Sequence, residues 1–216
     1  MPFSEKSLKK CLLMTLILMG GMLVTLAGCS AFGTIAYIIH GDEVAPPCKK
    51  MKGKVAIVCR PRASTSYQYS EVAMELSRAL NRKIQAGIKK PKECQVVNQQ
   101  KVEEYCDGME AESDFQEIGK AVGADQVIGI DLLSYNHIAG TNVWQGRADM
   151  NVQLIDVATG NVLYEPPFLN EYVFPKSSVV AAGEQSERAF QNEYIQRLAN
   201  YISKQFVPYD RTEVDF

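Results

Sequence analysis

Two histidines and six cysteines are the residues of this 216-residue chain best suited to acid–base, nucleophilic or metal chemistry. His40 and His137 each stand alone, and no Cys-x-x-Cys occurs, so the spacing builds no metal site. The chain has no Gly-x-Ser-x-Gly elbow, no His-Glu-x-x-His, no phosphate loop and no glycine-rich dinucleotide fingerprint. Asp131 and Asp149 fall on neighbouring strand candidates and are the one carboxylate pair that could face each other. Acid–base work needs such a pair in opposed environments. Arg147, on the same strand face as Asp149, points more simply to a salt-bridged polar surface. His137, beside Tyr135 and Asn136, reads as a turn residue. These counts argue against an enzyme, and no cofactor or metal is expected.

Binding is the other chemistry open to these residues. Tyr67 and Tyr69, in "RASTSYQYS", are expected in the loop after the first strand, at the end where open α/β sheets bind ligands, and are the candidate partner loop. Trp144, the only tryptophan, alternates with Ala148 and Met150 and reads as core. The polar row Gln145, Arg147, Asp149, Asn151 and Gln153 reads as a solvated strand face, with recognition as its second reading. Nucleic acid is not expected: there is no basic stripe with interleaved aromatics. The short cluster "KKMKGK" (49–54) reads as a solvated or headgroup-facing linker.

The elements that must position these residues follow from periodicity. "KVAIVCR" (54–60) is a short apolar run rich in Val and Ile, the mark of a buried strand. In 69–87, Val72, Leu76, Leu80 and Ile84 recur at helical steps, with Ser70 as cap and Gly87 as stop. "CQVVNQ" (94–99) is a second strand. A helical patch around "KVEEYC" leads into a helix at 113–125, with Ser113 and Gln116 as a capping box and Gly123 at its end. Strands at 126–138 and 143–157 follow, the second in strict alternation. A turn at Ala158–Asn161 enters a third strand, which Pro166-Pro167 interrupts, as suits an edge or a bulge, and "EYVF" continues. A helix over 184–206 buries Phe190, Ile195, Leu198, Ile202 and Phe206. The expected class is α/β, with β-α-β-α-β-β-β-α order, a mixed sheet and helices packed on it.

The amino terminus adds a location. Lys6, Lys9 and Lys10 precede an uncharged run, "CLLMTLILMGGMLVTLAG" (11–28), that as a helix would reach about 27 Å. It ends in Leu26-Ala27-Gly28-Cys29, which resembles the lipobox of bacterial lipoproteins. That resemblance implies cleavage between Gly28 and Cys29 and acylation of Cys29, the new first residue. Ser30 is not the aspartate associated with inner-membrane retention, which leans toward the outer membrane facing the periplasm. Because apolar residues run on to Ile39, a signal/anchor helix kept over 11–39 is the alternative. Cleavage leaves 20 Lys and Arg against 24 Asp and Glu. The expected layout is a signal peptide (1–28), a tether (29–52), a globular domain (53–207) and a tail (208–216).

Cys48, Cys59, Cys94 and Cys106 remain in the mature chain. An even number in an oxidising compartment suggests two disulfides. With the strands at 54–59 and 94–99 parallel, Cys48 and Cys94 precede their strands, while Cys59 and Cys106 lie at or past the far ends. This favours Cys48–Cys94 and Cys59–Cys106.

The sequence "VVNQQKVEE", then "IGKAVGADQVIGIDL", then "VQLIDVATGNVLYE", resembles envelope lipoproteins that share the fold of the Tol beta-propeller protein's amino-terminal domain. The group includes the penicillin-binding-protein activators and the curli secretion lipoprotein. The shared cadence is Gly123-Ala124-Asp125 after a helix and Asp156-Val157-Ala158-Thr159-Gly160 in a hairpin. "SSVVAAG" is too short for the curli channel's membrane-spanning hairpins. The resemblance implies an envelope lipoprotein that binds another protein as an accessory or assembly factor. The alternatives are a subunit of an oligomeric export apparatus and, further off, a hydrolase or small-ligand binder.

Overall fold

The computed structural model describes residues 43–62, 66–107, 114–167 and 169–211, with backbone only at 66–69. The run 11–39, the lipobox Leu26-Ala27-Gly28-Cys29 and Ser113 lie outside the described residues. The chain divides into two units. One takes residues 1–43 and 210–212, of which Glu43, Asp210 and Arg211 are described. The other, residues 44–209 with 213–216, carries the fold that follows.

Strand β1 (Gly53–Pro61) leads to α1 (Ser66–Gly87), β2 (Cys94–Val96), α2 (Gln99–Cys106) and α3 (Phe115–Val122). Then come the long strands β3 (Gln126–Gly140) and β4 (Val143–Asp156), the short pieces β5 (Val162–Tyr164), β6 (Glu171–Phe174) and β7 (Val180–Ala181), and α4 (Glu187–Ser203). The sheet runs β2-β1-β3-β4-β5, with β6 and β7 also paired to β4. β1 is parallel to both β2 and β3, whereas β4 is antiparallel to β3, so the sheet is mixed. β5, β6 and β7 are successive pieces of one broken edge: they meet β4 at Leu154–Ile155, at Gly146–Asp149 and at Val143–Trp144. Pro166-Pro167 separates the first two pieces, as a residue without an N–H must on an edge.

The alternation of β1 and β4 divides the core. Val55 and Ile57 with Ala148, Met150, Val152 and Leu154 face α1 and α4. Ala56, Val58, Val127 and Ile155 face α2 and α3 through Val102, Phe115 and Ile118. On α1 the expected stripe of Val72, Leu76, Leu80 and Ile84 is buried, as is the stripe of α4. Each such side chain removed from water contributes about 1.5–3 kcal/mol before the cost of ordering it. The second face is covered only in part. Arg147 is exposed and Gln145, Asp149, Asn151 and Gln153 are half-buried, so the polar row of β4 is a partly covered sheet face.

Several local expectations change. α1 begins at Ser66, not after Ser70, so Tyr67 and Tyr69 belong to its first turn rather than to a loop. β2 stops at Val96 because Asn98 turns the chain: its side chain accepts the Gln100 N–H and caps α2. Asp114, not Ser113, is the cap of α3 and accepts the Gln116 N–H. Gly123 does end α3 in the left-handed region, with φ 72° and ψ 36°. Asp125 then accepts the Lys54 N–H at 2.8 Å, fixing the helix-to-strand connection against β1.

Candidate functional site: a crevice at the carboxyl end of β1

β2 pairs with β1 only over Gly53–Val55, so the edge of β1 from Ile57 to Pro61 has no strand beside it. α1 leaves β1 on one face of the sheet, while the α2–α3 connection leaves β2 on the other. Adjacent parallel strands whose connections depart to opposite faces open a crevice at their carboxyl ends. A cavity of about 430 Å³ lies there. Its floor is Ile57, Val58 and Cys59; Ala73, Met74 and Ser77 of α1 form one wall, and Val102 and Cys106 of α2 the other. Arg60, Glu71, Glu103 and Asp107 stand at the rim.

Hydrogen bonds hold the crevice in shape. Ser77 Oγ accepts the edge N–H of Cys59 at 3.1 Å and donates to the Ala73 carbonyl at 2.9 Å. Pro61, at the same parity of the strand, has no N–H to satisfy. Arg78 spans α1 and α2 by donating Nε to Glu103 Oε1 at 2.8 Å and Nη2 to Glu103 Oε2 at 2.7 Å. That bond raises the Arg78 pKa above its ordinary value. Asn81 Nδ2 donates to the Val97 carbonyl and to Gln99 Oε1, both at 3.1 Å, and fastens α1 to the start of α2. Arg60 Nε donates to Asp131 Oδ1 at 2.7 Å, with its guanidinium 4.0 Å from the centre of the Phe115 ring.

The cavity holds two thiols but no activated nucleophile among its described residues. Burial pushes the Cys59 thiol well up, and the Asp131 carboxylate adds to this. Burial, then Asp107 and Glu103, push Cys106 up as well. A thiol held protonated attacks poorly. The disulfides expected at Cys48–Cys94 and Cys59–Cys106 are corrected by the structure: all four are free thiols. Cys59 packs against the α1–α4 core cluster and Cys106 against the α2–α3 cluster, and both line the crevice as free thiols. Cys48 and Cys94 share one core cluster, where burial raises both thiols.

The remaining candidates scatter. Asp131 pairs across the sheet with Asn151, and Asp149 with Ser134, so the two carboxylates do not face each other. Arg147 bridges Glu171 at 3.5 Å rather than Asp149. His137 Nε2 lies 2.8 Å from Glu187 Oε1 and ties β3 to the start of α4. Trp144 is buried, and its Nε1 donates to the Gln185 carbonyl at 3.0 Å. Tyr67 and Tyr69 stand in the first turn of α1, the helix that walls the crevice. Tyr67 and Tyr69 pointed to this end of the sheet, but the lining of the crevice was not legible, because its signal is the brevity of β2: Asn98 as a helix cap, two residues after the last strand residue Val96.

No family model and no curated protein matches the chain. Solved structures do share part of its outline. A PelC dodecamer from Paraburkholderia phytofirmans has 10% identity and a TM-score of 0.43 over 76% of this chain and 96% of that one. Lipoprotein GNA1162 from Neisseria meningitidis has 12% identity and a TM-score of 0.38, over 70% and 98%. The hypothetical protein CT253 from Chlamydia trachomatis has 12% identity and a TM-score of 0.36, over 70% and 96%.

Proposed function

We propose that the chain is a lipid-anchored lipoprotein of a bacterial envelope, and that its α/β domain binds a partner polypeptide without catalysing a reaction. The observation that carries the binding reading is the crevice at the strand switch point. It is apolar inside and acidic at its rim, and it lies at the opposite end of β1 from the entry of the chain at residues 44–53. Nine strand residues put those two ends about 30 Å apart. The crevice is thus remote from the segment by which the chain enters the domain. The sequence Leu26-Ala27-Gly28-Cys29 supports the anchor.

The non-catalytic part rests on what the polar groups already do. Asp131 is engaged by Arg60, Asp149 by Ser134 and Glu103 by Arg78, while both crevice thiols are held protonated. A photo-crosslinking amino acid at Met74, on the crevice wall, tests the reading in intact cells. A discrete adduct with an envelope polypeptide, abolished by Ala73→Trp, is expected. Crosslinks only to lipid or water, or an adduct indifferent to Ala73→Trp, would remove the crevice as the binding site.

A further inference from the structure

We infer that the domain has a second binding surface: a lysine-rich pole that rests on anionic lipid headgroups. Two segments far apart in sequence build it. Lys49, Lys50, Lys52 and Lys54 lead into β1, and Lys89, Lys90 and Lys92 lie between α1 and β2. All seven are exposed. The backbone brings the segments together: the Gly53 N–H donates to the Glu93 carbonyl at 2.8 Å, and Gly53 and Lys54 pair with Cys94 and Gln95. Lys120 in the last turn of α3 and Lys204 at the end of α4 add cations to helix ends directed to this pole.

Carboxylates beside these lysines are hydrogen-bonded. Glu93 pairs with Lys90 at 3.0 Å, Asp125 accepts the Lys54 N–H, and Asp156 accepts from Thr159. The carboxylates of Glu93, Asp125 and Asp156 therefore stand among seven exposed lysines, in a chain whose formal net charge is −2. Lys50 Nζ also donates to the Leu163 carbonyl at 2.8 Å, which sets its stem against the edge strand.

The pole is also where the chain enters the domain. The Cys48 N–H donates to the Gln205 carbonyl at 3.0 Å, the Lys52 N–H to Gln126 Oε1 at 2.8 Å, and Gln126 Nε2 to the Lys50 carbonyl at 3.1 Å. The chain is thus fixed to the domain from Cys48 onward. Between Cys29 and Val44 stand 14 residues, which span at most about 50 Å. This step rests on the proposed anchor: a lipid at Cys29 holds the domain within reach of the membrane surface. Contact is needed because screening confines the attraction to about 8 Å at physiological salt. A membrane surface takes up a broad lysine array of this kind, each lysine adding to the attraction.

The test is amine acetylation of the full chain in vesicles, read residue by residue by mass spectrometry, with the intact mass recorded on the same sample. In vesicles containing phosphatidylglycerol, Lys49, Lys50, Lys52, Lys54, Lys89, Lys90 and Lys92 should lose most of their reactivity relative to phosphatidylcholine alone. The protection should vanish at about 1 M salt, where screening acts within about 3 Å. Lys176, beyond β6 at the other end of the domain, should react equally in both. Lys89→Glu, Lys90→Glu and Lys92→Glu together should expose Lys49–Lys54 as well. Equal reactivity of the seven lysines in both vesicle types, or protection of Lys176 with them, overturns the inference. A mass without acyl chains sinks the anchor reading alone, because the footprint still decides the pole on the chain held by its uncleaved apolar run.

Discussion

Ser77→Ala tests the construction of the crevice in one atom. Ser77 is buried, and its hydroxyl both accepts the Cys59 N–H and donates to the Ala73 carbonyl. Alanine removes the acceptor from an edge N–H that β2 is too short to reach. A buried N–H left without a partner costs about 1–3 kcal/mol, and alanine returns about 0.5 kcal/mol through its better helix propensity. The net loss is about 1.5 kcal/mol, or about 3–6 °C in Tm for a chain of this size. Circular dichroism melting of the full chain in detergent reads this directly. A Tm equal to or above that of the parent would show that Ser77 does not hold the β1 edge, and would undo the account of the crevice as a fixed, preformed site.

Other consequences can be measured on the same material. Gly146→Ala should destabilise by about 1–3 kcal/mol in a urea melt, because a Cβ there would overlap the Tyr194 ring between β4 and α4; an unchanged midpoint would contradict that packing. Alkylation of the unfolded mature chain without reductant should modify Cys48, Cys59, Cys94 and Cys106 together, and a pair that resists until reduced would restore a disulfide. The thiols and the Tyr135 and Tyr194 hydroxyls titrate above their ordinary values because burial disfavours their anions. The unfolded chain therefore releases these protons first. Stability should be full below about pH 8.5 and fall steadily as pH rises beyond it, with a flat profile from pH 8 to 11 as the contrary result.

The sequence made the regular parts of this fold legible. The alternation in 143–157, the four-residue steps of α1 and the stripe of α4 each repeat over several turns or strand residues, and one misread position cannot reverse such a pattern. Pro166-Pro167 pointed to an edge or a bulge because a missing N–H has few places to go in a sheet, and the structure shows a broken edge. Short elements were harder to read. Val96 and Val97 suggest strand to the end of "CQVVNQ", yet the Asn98 side chain captures a helix N–H and shortens it. Asp114 and Ser113 are both good caps, and sequence alone ranks neither. The cysteine pairing was not legible: order along the chain puts Cys59 and Cys106 at the same end of the sheet, where both line the crevice, yet all four thiols are free. The basic pole was only half visible, since "KKMKGK" and "IKKPKE" become neighbours through β1–β2 pairing.

The most direct measurement of the central claim is the intact mass of the membrane-extracted protein, taken for the parent and for Cys29→Ala. The account predicts residues 29–216 plus acyl chains in the parent and the loss of that species in the variant. An unprocessed 1–216 mass in both would contradict it, and would make the apolar run from Cys11 to Ile39 a retained membrane anchor instead of a signal that is removed.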